Sequence, residues 1–376
     1  MYVLKNKIFI FFIGLVDLLG YLLFSPLKLF RKKQPPKIIK HILIIRLDHA
    51  GDVIYSTMLP ENIKHSFPEA KIIFLTNPLG REIIAGNPFI DQVICYDAPW
   101  FDRKNKKLFG AVSFFQLVKK LKPFHFDLGL DPRGDSRHIL LMALAGTNYK
   151  AGLGITGLGF LLDQKISHLN GHPLEQNLRF LQEIGVKMVL REPAVYTGEK
   201  DIAVLEDFFS REGIKNDDLL AVIHAYSVNT AKNWPTENFQ QLARSIYDKY
   251  RTKIIFVGSN DDSGKNQEIV NACQAKAINA SGKIPFKGIL ELLKRSAIFI
   301  GIDSAIAHLA AIAKTPSVIL YSGTNKKEEW AAKNITVLQK DVICANCQKT
   351  SCAKNICMEL ITPQDVLKEI ERLIKV

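Results

Sequence analysis

The sequence predicts an α/β protein in which two parallel-sheet domains face a central cleft, with an apolar helix in front of them. From His41 onward, strand-like and helix-like segments alternate, which is typical of parallel sheets. This alternation restarts near residue 219, and 376 residues are too many for a single ordinary core. Residues 8–24 are apolar apart from one acid and two glycines. Ligands of such folds bind at the carboxyl ends of the strands, so we expect the site in the cleft.

The N-terminal apolar segment reads IFIFFIGLVDLLGYLLF and contains one acid, Asp17. As a helix it would be roughly 25 Å long, shorter than the roughly 30 Å of a hydrocarbon core. Asp17 near its middle would cost about 3 kcal/mol on insertion. We therefore favour a helix that lies in the membrane plane or re-enters the membrane. The alternatives are a short span, a helix buried within the fold, and a signal peptide, for which an A-x-A-like cleavage site is missing.

Positive charge is concentrated beside this segment. Residues 1–40 contain eight Lys or Arg against one acid, so they carry +7 of the formal net charge of +13. A basic arm next to an apolar run indicates an anionic membrane surface rather than nucleic acid. We therefore expect residues 1–33 to contact the cytoplasmic face of a membrane.

The first half of the body has four clear strand patterns and two helical ones. The apolar, β-branched strands are predicted at 41–47, 71–76, 92–97 and 126–131. The helical patterns run over 53–65 and over 172–185, the second closed by Gly185.

The second half repeats this architecture after a polar, turn-rich stretch at 190–200. Its strands are predicted at 219–225, 253–258, 297–303 and 316–322, and its helices at 236–249, 264–275, 286–295 and 305–313. A capping-box pattern at Thr362–Asp365 starts a last helix. The predicted parts are a membrane-associating segment 1–36, domains 37–195 and 196–362, and a C-terminal helix 363–376.

The segment RLDHAGDVIYS places Asp52 after the first strand and beside a helix start. An Asp at this place is either an N-cap or a general base at the mouth of the site. Asp48 is a second carboxylate nearby, which could tune Asp52 or substitute for it.

The segment HAYSVNTAKNWPTENF carries Ser227, Thr230 and Lys232 in a polar loop after a strand. A lysine beside hydroxyl groups at a helix start is suited to a diphosphate. The alternative is an exposed loop with an ordinary lysine and a packing tryptophan, Trp234.

A third segment, GIDSAIAHLAAIAKTPSVILYSGT, places Asp303 and Ser304 before a small-residue helix that contains His308. The N–H groups at such a helix start can bind a pyrophosphate. The alternative is a closely packed alanine-rich helix with a structural histidine. In FVGSNDD, either Asp261 or Asp262 is placed to bind ribose hydroxyls, by analogy with dinucleotide folds.

Four of the six cysteines lie close together, at Cys344, Cys347, Cys352 and Cys357. This is the spacing of a zinc knuckle with Cys in place of its His, and four thiolates are credible zinc ligands. Free or redox-labile thiols and local disulfides are the alternatives. Four protein ligands would leave no open position, so we expect no catalytic metal.

Together these segments resemble glycosyltransferase family 9, the lipopolysaccharide heptosyltransferases that use ADP-heptose. The resemblance runs from about His41 to the C-terminus. It rests on an ordered set of segments: RLDHAGDVI, FPEAKIIFLT, FDLGLD, HPLEQNLRFLQEIG, HAYSVNTAKNWPTENF, SGKIPFKGILELLKRSAIFIGIDSAIAHLAAIAKTPSVILYSGT, and the cysteine cluster with CMELITPQDV.

The resemblance implies a GT-B type fold of two Rossmann-like domains and inverting, metal-independent transfer without a cofactor. It implies that Asp52 is the general base and that Lys232 contacts the donor phosphates. The other donor-binding residues that we expect are Ser227, Thr230, Asp262, Asp303, Ser304, Ala305 and His308. The expected partners are a nucleotide-sugar donor, a glycolipid acceptor and, through residues 1–33, the cytoplasmic face of the bacterial inner membrane, without nucleic acid.

The sequence departs from the family pattern in several places, which include the length of the 224–235 loop and the N-terminal apolar segment. Ala305 stands where the family usually has glycine, and YSGTN (321–325) replaces an FGPTD-like run. A donor other than ADP-heptose is therefore an alternative.

Two further function classes are weighed against this one. A nucleotide-dependent oxidoreductase or epimerase would need GxGxxG directly after the first strand, where this chain has HAGDV. A membrane-tethered binding protein without catalysis would not need Asp52 or Lys232.

Overall fold

The computed structural model describes residues 7–30, 34–101, 110–167, 171–273, 276–332 and 334–374. The chain divides into two compact units, Met1–Ala194 and Val195–Val376. Each unit contains a six-stranded sheet whose described strands all pair in parallel. The prediction of two parallel-sheet α/β domains is therefore confirmed.

The first sheet has the strand order β3-β2-β1-β4-β5-β6. Its strands are β1 His41–Arg46, β2 Lys71–Thr76, β3 Gln92–Cys95, β4 Leu128–Asp131, β5 Tyr149–Gly152 and β6 Gln164–Lys165. The order reverses at β1, whose carboxyl end lies beside that of β4, and this is where open α/β sheets bind ligands.

Seven α-helices belong to the described part of the first unit. They are α1 Lys7–Phe30, α2 Ala50–Ser56, α3 Leu59–Ser66, α4 Pro78–Ile84, α5 Ala111–Leu121, α6 Ser136–Leu144 and α7 Pro173–Glu183. The single helix predicted at 53–65 is two helices, because Pro60 in the first turn of α3 has no N–H to continue the ladder. The helix predicted at 172–185 is α7, and Gly185 follows it with a φ of 77°.

The second sheet repeats the topology of the first, with the order β12-β11-β10-β7-β8-β9. Its strands are β7 Leu220–His224, β8 Lys253–Val257, β9 Ala277–Asn279, β10 Ile298–Ile302, β11 Ser317–Leu320 and β12 Thr336–Leu338. The reversal of order falls between β7 and β10, so the loops after these two strands are neighbours.

The described helices of the second unit are α8 Glu199–Arg211, α9 Thr236–Tyr250, α10 Ser263–Ala272, α11 Phe286–Lys294, α12 Ala305–Ala313, α13 Lys327–Trp330, α14 Ile356–Glu359 and α15 Pro363–Leu373. Thr362 and Asp365 form the predicted capping box at the start of α15. This helix, predicted as a segment of its own, packs on α9 and buries Val366 and Ile370 in the core of the second unit.

The N-terminal segment forms a helix, α1, that packs on the 3₁₀ turn Gly159–Leu161 of the first unit. Asp17 and Gly20 are buried, whereas most of the apolar side chains described in α1 are exposed. No helix within the described residues combines the length and apolarity needed to cross a bilayer.

Candidate active site

The connection after β1 carries both carboxylates predicted for the first unit. β1 ends at Arg46 and α2 begins at Ala50, so Asp48 lies in the connection and Asp52 in the first turn of the helix. His49 holds the N-cap position, so the interpretation of Asp52 as an N-cap is wrong. The Asp52 side chain is 13% exposed, which leaves its carboxyl group accessible to a reactant.

Asp48 is fully buried between two guanidinium groups. Its Oδ1 lies 3.2 Å from Nε of Arg46, and its Oδ2 lies 2.5 Å from Nη1 of Arg133. Burial alone would raise the pKa of Asp48, but the charges of Arg46 and Arg133 outweigh burial and hold this pKa well below its ordinary value. Asp48 is therefore a permanently charged neighbour of Asp52, placed to tune it rather than to replace it.

The pKa of Asp52 shifts in the opposite direction. Burial raises its pKa most and the negative charge of Asp48 raises it further, while Arg46 and Arg133 act against both. The result is a pKa of about 6 for Asp52, whose Oδ1 lies 3.4 Å from Nη2 of Arg46. Two carboxyl groups with pKa values pushed apart are typical of acid–base sites, and a base near neutrality is an efficient proton acceptor.

Arg133 belongs to a cationic and aromatic cluster that the sequence analysis did not identify. Its guanidinium carbon lies 4.6 Å from the ring centre of Phe101, and that of Arg137 lies 4.9 Å from the ring centre of Trp100. Asp135 accepts two hydrogen bonds from the Arg137 guanidinium and also caps α6. Arg133 follows β4, the sheet neighbour of β1, and this adjacency was the one signal that could have revealed it.

The donor residues predicted in the second unit follow strands that are neighbours in the sheet. The loop with Ser227, Thr230 and Lys232 follows β7, Asp262 follows β8, and the Asp303–His308 segment follows β10. Because the strands are parallel, these segments leave the sheet at one edge.

Lys232 and Asp303 form the centre of this group. Nζ of Lys232 lies 2.5 Å from Oδ2 of Asp303, and Nδ2 of Asn325 donates to the same oxygen at 3.1 Å. Asn325 is the last residue of the YSGTN run that departs from the family pattern, and no role was predicted for it. One carboxylate oxygen of Asp303 thus accepts hydrogen bonds from both Lys232 and Asn325.

Ser304 caps α12, the helix that begins at Ala305. Its hydroxyl oxygen accepts from the backbone N–H of Ala307 at 3.4 Å and lies 3.0 Å from Nδ1 of His224. Burial lowers the pKa of His224 to about 4, against a smaller opposing effect of Asp262. His224 is therefore neutral at physiological pH, and the Ser304 hydroxyl can donate to it. His308 is buried within α12.

The remaining predicted donor residues shape their own loops. The hydroxyl of Ser227 accepts from the backbone N–H of Asn229 at 3.1 Å, and Thr230 is exposed. Oδ2 of Asp262 accepts from the backbone N–H and the hydroxyl of Ser259, at 2.8 and 2.6 Å. Asp261, the alternative carboxylate, is exposed. One oxygen of Asp262 is thus committed to the loop after β8.

A pocket of about 460 Å³ is lined in part by residues of the 226–236 loop. Its lining includes Tyr226, Lys265, Glu268 and the buried Trp234, whose indole N–H donates to the carbonyl of Ile361. Thr230 is the only predicted donor residue in this lining, so the pocket is distinct from the group around Lys232 and Asp303. Trp234 is therefore a packing residue, as the alternative interpretation of this segment in the sequence analysis predicted.

The clustered cysteines are all free thiols, with Cys344 exposed and Cys357 buried. Among the described residues, no group of three or more His, Cys, Asp or Glu side chains is arranged to hold a metal ion. Within the described part of the chain, the four sulfur atoms are not gathered into the tetrahedral arrangement of a zinc knuckle, and the cysteines are free thiols in this structure.

A family model described as glycosyltransferase family 9 (heptosyltransferase) matches residues 114–358, more than half of the chain. The chain belongs to glycosyltransferase family 9. It is accordingly a glycosyltransferase, and neither the oxidoreductase nor the non-catalytic alternative applies. The region matched to family 9 contains Arg133 and all the donor residues but begins after Asp52.

Curated and solved relatives agree with this membership. The chain is 24% identical over 285 residues to lipopolysaccharide heptosyltransferase 3 of Escherichia coli, covering 73% of this chain and 81% of that protein. A family 9 glycosyl transferase structure from Veillonella parvula superposes with a TM-score of 0.75 at 20% identity, covering 91% of this chain and 99% of the other. The structure of E. coli ADP-heptose LPS heptosyltransferase II gives 0.70 at 19% identity, covering 89% and 98%. These structures share the GT-B type fold that the sequence predicts.

Proposed function

We propose that this protein transfers heptose from ADP-heptose to a glycolipid acceptor of the lipopolysaccharide-core type, with inversion and without a metal ion. The observation that carries the proposal is the Asp48–Asp52 pair, in which one carboxylate stays charged and the other has a pKa of about 6. The donor is suggested by the family description and by the name of the E. coli heptosyltransferase II structure.

In the proposed reaction, Asp52 accepts the proton of an acceptor hydroxyl group. The hydroxyl oxygen then bonds to the anomeric carbon of the heptose from the face opposite the leaving group. The bond from the anomeric carbon to the β-phosphate oxygen breaks, and its electron pair leaves with ADP. A single displacement of this kind inverts the anomeric configuration.

The second unit supplies the positive charge that a leaving diphosphate needs. The ammonium group of Lys232 pairs with Asp303, and a donor phosphate can replace Asp303 as its partner because both are oxyanions. The N-terminus of α12 provides backbone N–H groups beside Ser304 and Ala305, and helix N-termini bind phosphates. This combination can perform the charge neutralisation for which other transferases use a divalent cation.

We also propose that the protein works at the cytoplasmic face of the inner membrane, bound through residues 1–33. The support is the exposed apolar surface of α1 together with the basic residues that flank it in the sequence. A glycolipid acceptor would be presented at the same surface.

The purified protein should convert ADP-heptose and a heptose-deficient lipopolysaccharide core into ADP and a product one heptose heavier. Mass spectrometry detects the product, and NMR of its anomeric proton reports the configuration. Activity should persist in EDTA. Retention of configuration or loss of activity in EDTA would contradict the mechanism. If UDP- or GDP-sugars raised the melting temperature of the protein more than ADP-heptose does, the proposal that ADP-heptose is the donor would be contradicted.

A further inference from the structure

The face of α1 that packs on the first unit is built around one acid. Asp17 is 6% exposed, and its Oδ1 accepts a hydrogen bond of 2.7 Å from the backbone N–H of Leu158. Leu158 has a φ of 59°, so this backbone N–H is held in an unusual left-handed conformation. Asp17, the one acid in the otherwise apolar helix, thus binds α1 to the first unit.

Glycines bring the helix and the turn into close contact around Asp17. A Cβ atom on Gly20 would lie 2.3 Å from the ring of Phe160, and one on Gly157 would lie 2.3 Å from the side chain of Ile13. Gly157 also has a φ of 115°, which favours glycine. A larger residue at either position would force the facing side chain or the helix to shift. The contact of Asp17 and Gly20 with residues 157–160 is therefore closely fitted, and we call this contact the seat of α1.

The opposite face of α1 is apolar throughout its described length. Its side chains are between 45% and 69% exposed: Phe11, Phe12, Leu15, Val16, Leu18, Leu19, Leu22 and Leu23. Soluble surfaces rarely expose such a continuous apolar patch, and patches of this kind mark interaction sites. The sequence places Lys5 and Lys7 before this face and Lys28, Arg31, Lys32 and Lys33 after it. These charges select an anionic lipid surface as the partner.

We propose that Asp17 is a latch that keeps α1 on the first unit, so that the outer apolar face lies in the plane of an anionic membrane instead of crossing it. Loss of the hydrogen bond from Leu158 to Asp17 would weaken the contact between α1 and the first unit. Replacement of the acid by leucine would also remove the main energetic barrier to insertion. The proposal rests on the membrane association proposed above and adds the residue that determines its geometry.

The test uses full-length protein and vesicles of phosphatidylethanolamine and phosphatidylglycerol. The wild type should float with the vesicles and be released by alkaline carbonate. Asp17→Asn keeps a side-chain oxygen that can accept the Leu158 hydrogen bond, so it should behave like the wild type. Asp17→Leu should resist carbonate, because removing the acid shifts the insertion equilibrium by roughly a hundredfold.

A variant in which Asp17 and Leu18 are exchanged provides a control with the same amino-acid composition. The double variant D17L/L18D keeps every residue type of the helix but moves the acid from the seat to the outer face. It should no longer float, and amide exchange at residues 154–161 should increase, as it should also in Asp17→Leu. If the double variant floats like the wild type, or if Asp17→Leu is released by carbonate with unchanged exchange, the latch is refuted.

The outcomes separate the latch from the proposals on which it rests. A wild type that does not float, or that forms a stable dimer through α1 without lipid, would overturn the lipid surface as partner. Heptose transfer to a water-soluble acceptor fragment is measured in parallel, and Asp17→Leu should retain it. An inactive wild type with the predicted flotation pattern would refute the proposed reaction and leave the latch intact.

Discussion

Asp52 owes its chemistry to residues that are distant in the sequence. Arg133 is 85 residues away from Asp48 along the chain, yet the two are ion-paired. The sequence could predict Asp52 from its place after a strand, but not its pKa, which depends on the burial and charges that the fold brings together. The same holds for Asn325 and His224, whose partners Asp303 and Ser304 follow a different strand.

Replacing Asp52 by Asn should lower kcat by roughly 10²- to 10⁴-fold, the usual contribution of a general base. The amide cannot accept the proton but keeps the size of the side chain. Donor affinity, measured by calorimetry with ADP, should stay within about twofold because the donor residues lie in the second unit. A parallel loss of ADP affinity and kcat would argue against the assignment.

The acid side of the pH profile should report Asp52. Since its pKa is about 6, kcat/KM should fall as the pH drops below about 6 and the base becomes protonated. Arg133→Gln removes a positive charge that lowers this pKa, so the acid limb should move to higher pH, by roughly one unit. Arg137→Gln is the control, because Arg137 is paired with Asp135, and it should leave the limb in place.

At the scale of elements, the central strands and the edge strand β3 were predicted from the sequence, whereas four short strands at or next to the sheet edges were not. β1, β2, β7 and β8 are continuous apolar runs because parallel strands are buried on both faces. The short strands toward the sheet edges, β5, β6, β9 and β12, have two to four residues each and mixed polarity. Their pairing depends on the neighbouring strand rather than on their own pattern.

The loop after β7 and the start of α12 should act together on the donor. Lys232→Gln removes a charge-assisted contact to the diphosphate, so ADP should bind about 10- to 100-fold more weakly. Lys249→Gln changes an exposed lysine of α9 that pairs with Glu371, and it should leave the ADP affinity unchanged. Isothermal titration of both variants decides the matter, and equal affinities would exclude Lys232 from the donor site.

The start of α15 offers a stability test of the second unit. Thr362 accepts from the backbone N–H of Asp365 at 3.1 Å, and the Asp365 carboxylate accepts in return from the N–H of Thr362 at 3.0 Å. Thr362→Ala should lower the free energy of unfolding by about 1 kcal/mol, whereas Thr362→Ser should be close to neutral. Urea denaturation measures both. A neutral alanine variant would show that packing alone holds α15.

At the scale of the molecule, the two sheets share one strand order but carry different functional residues. Each unit reverses its sheet order beside its first strand, at β1–β4 in one and at β7–β10 in the other. The first unit carries the candidate base at this position, and the second carries the cluster of Lys232, Asp303 and Ser304. The repeated βαβ rhythm predicted this duplication, whereas the different chemistry of the two reversal points depends on single residues.

The compact unit that carries Asp52 also carries α1 and its apolar face. An enzyme bound to lipid through this unit would meet glycolipid acceptors by two-dimensional diffusion within the membrane. The soluble donor would reach it by three-dimensional diffusion from solution. The rate on acceptor-bearing vesicles should therefore follow the number of acceptors per unit of membrane area. Diluting the acceptor with inert lipid at constant total acceptor should slow wild-type turnover, and a rate that depends only on bulk concentration would contradict surface search.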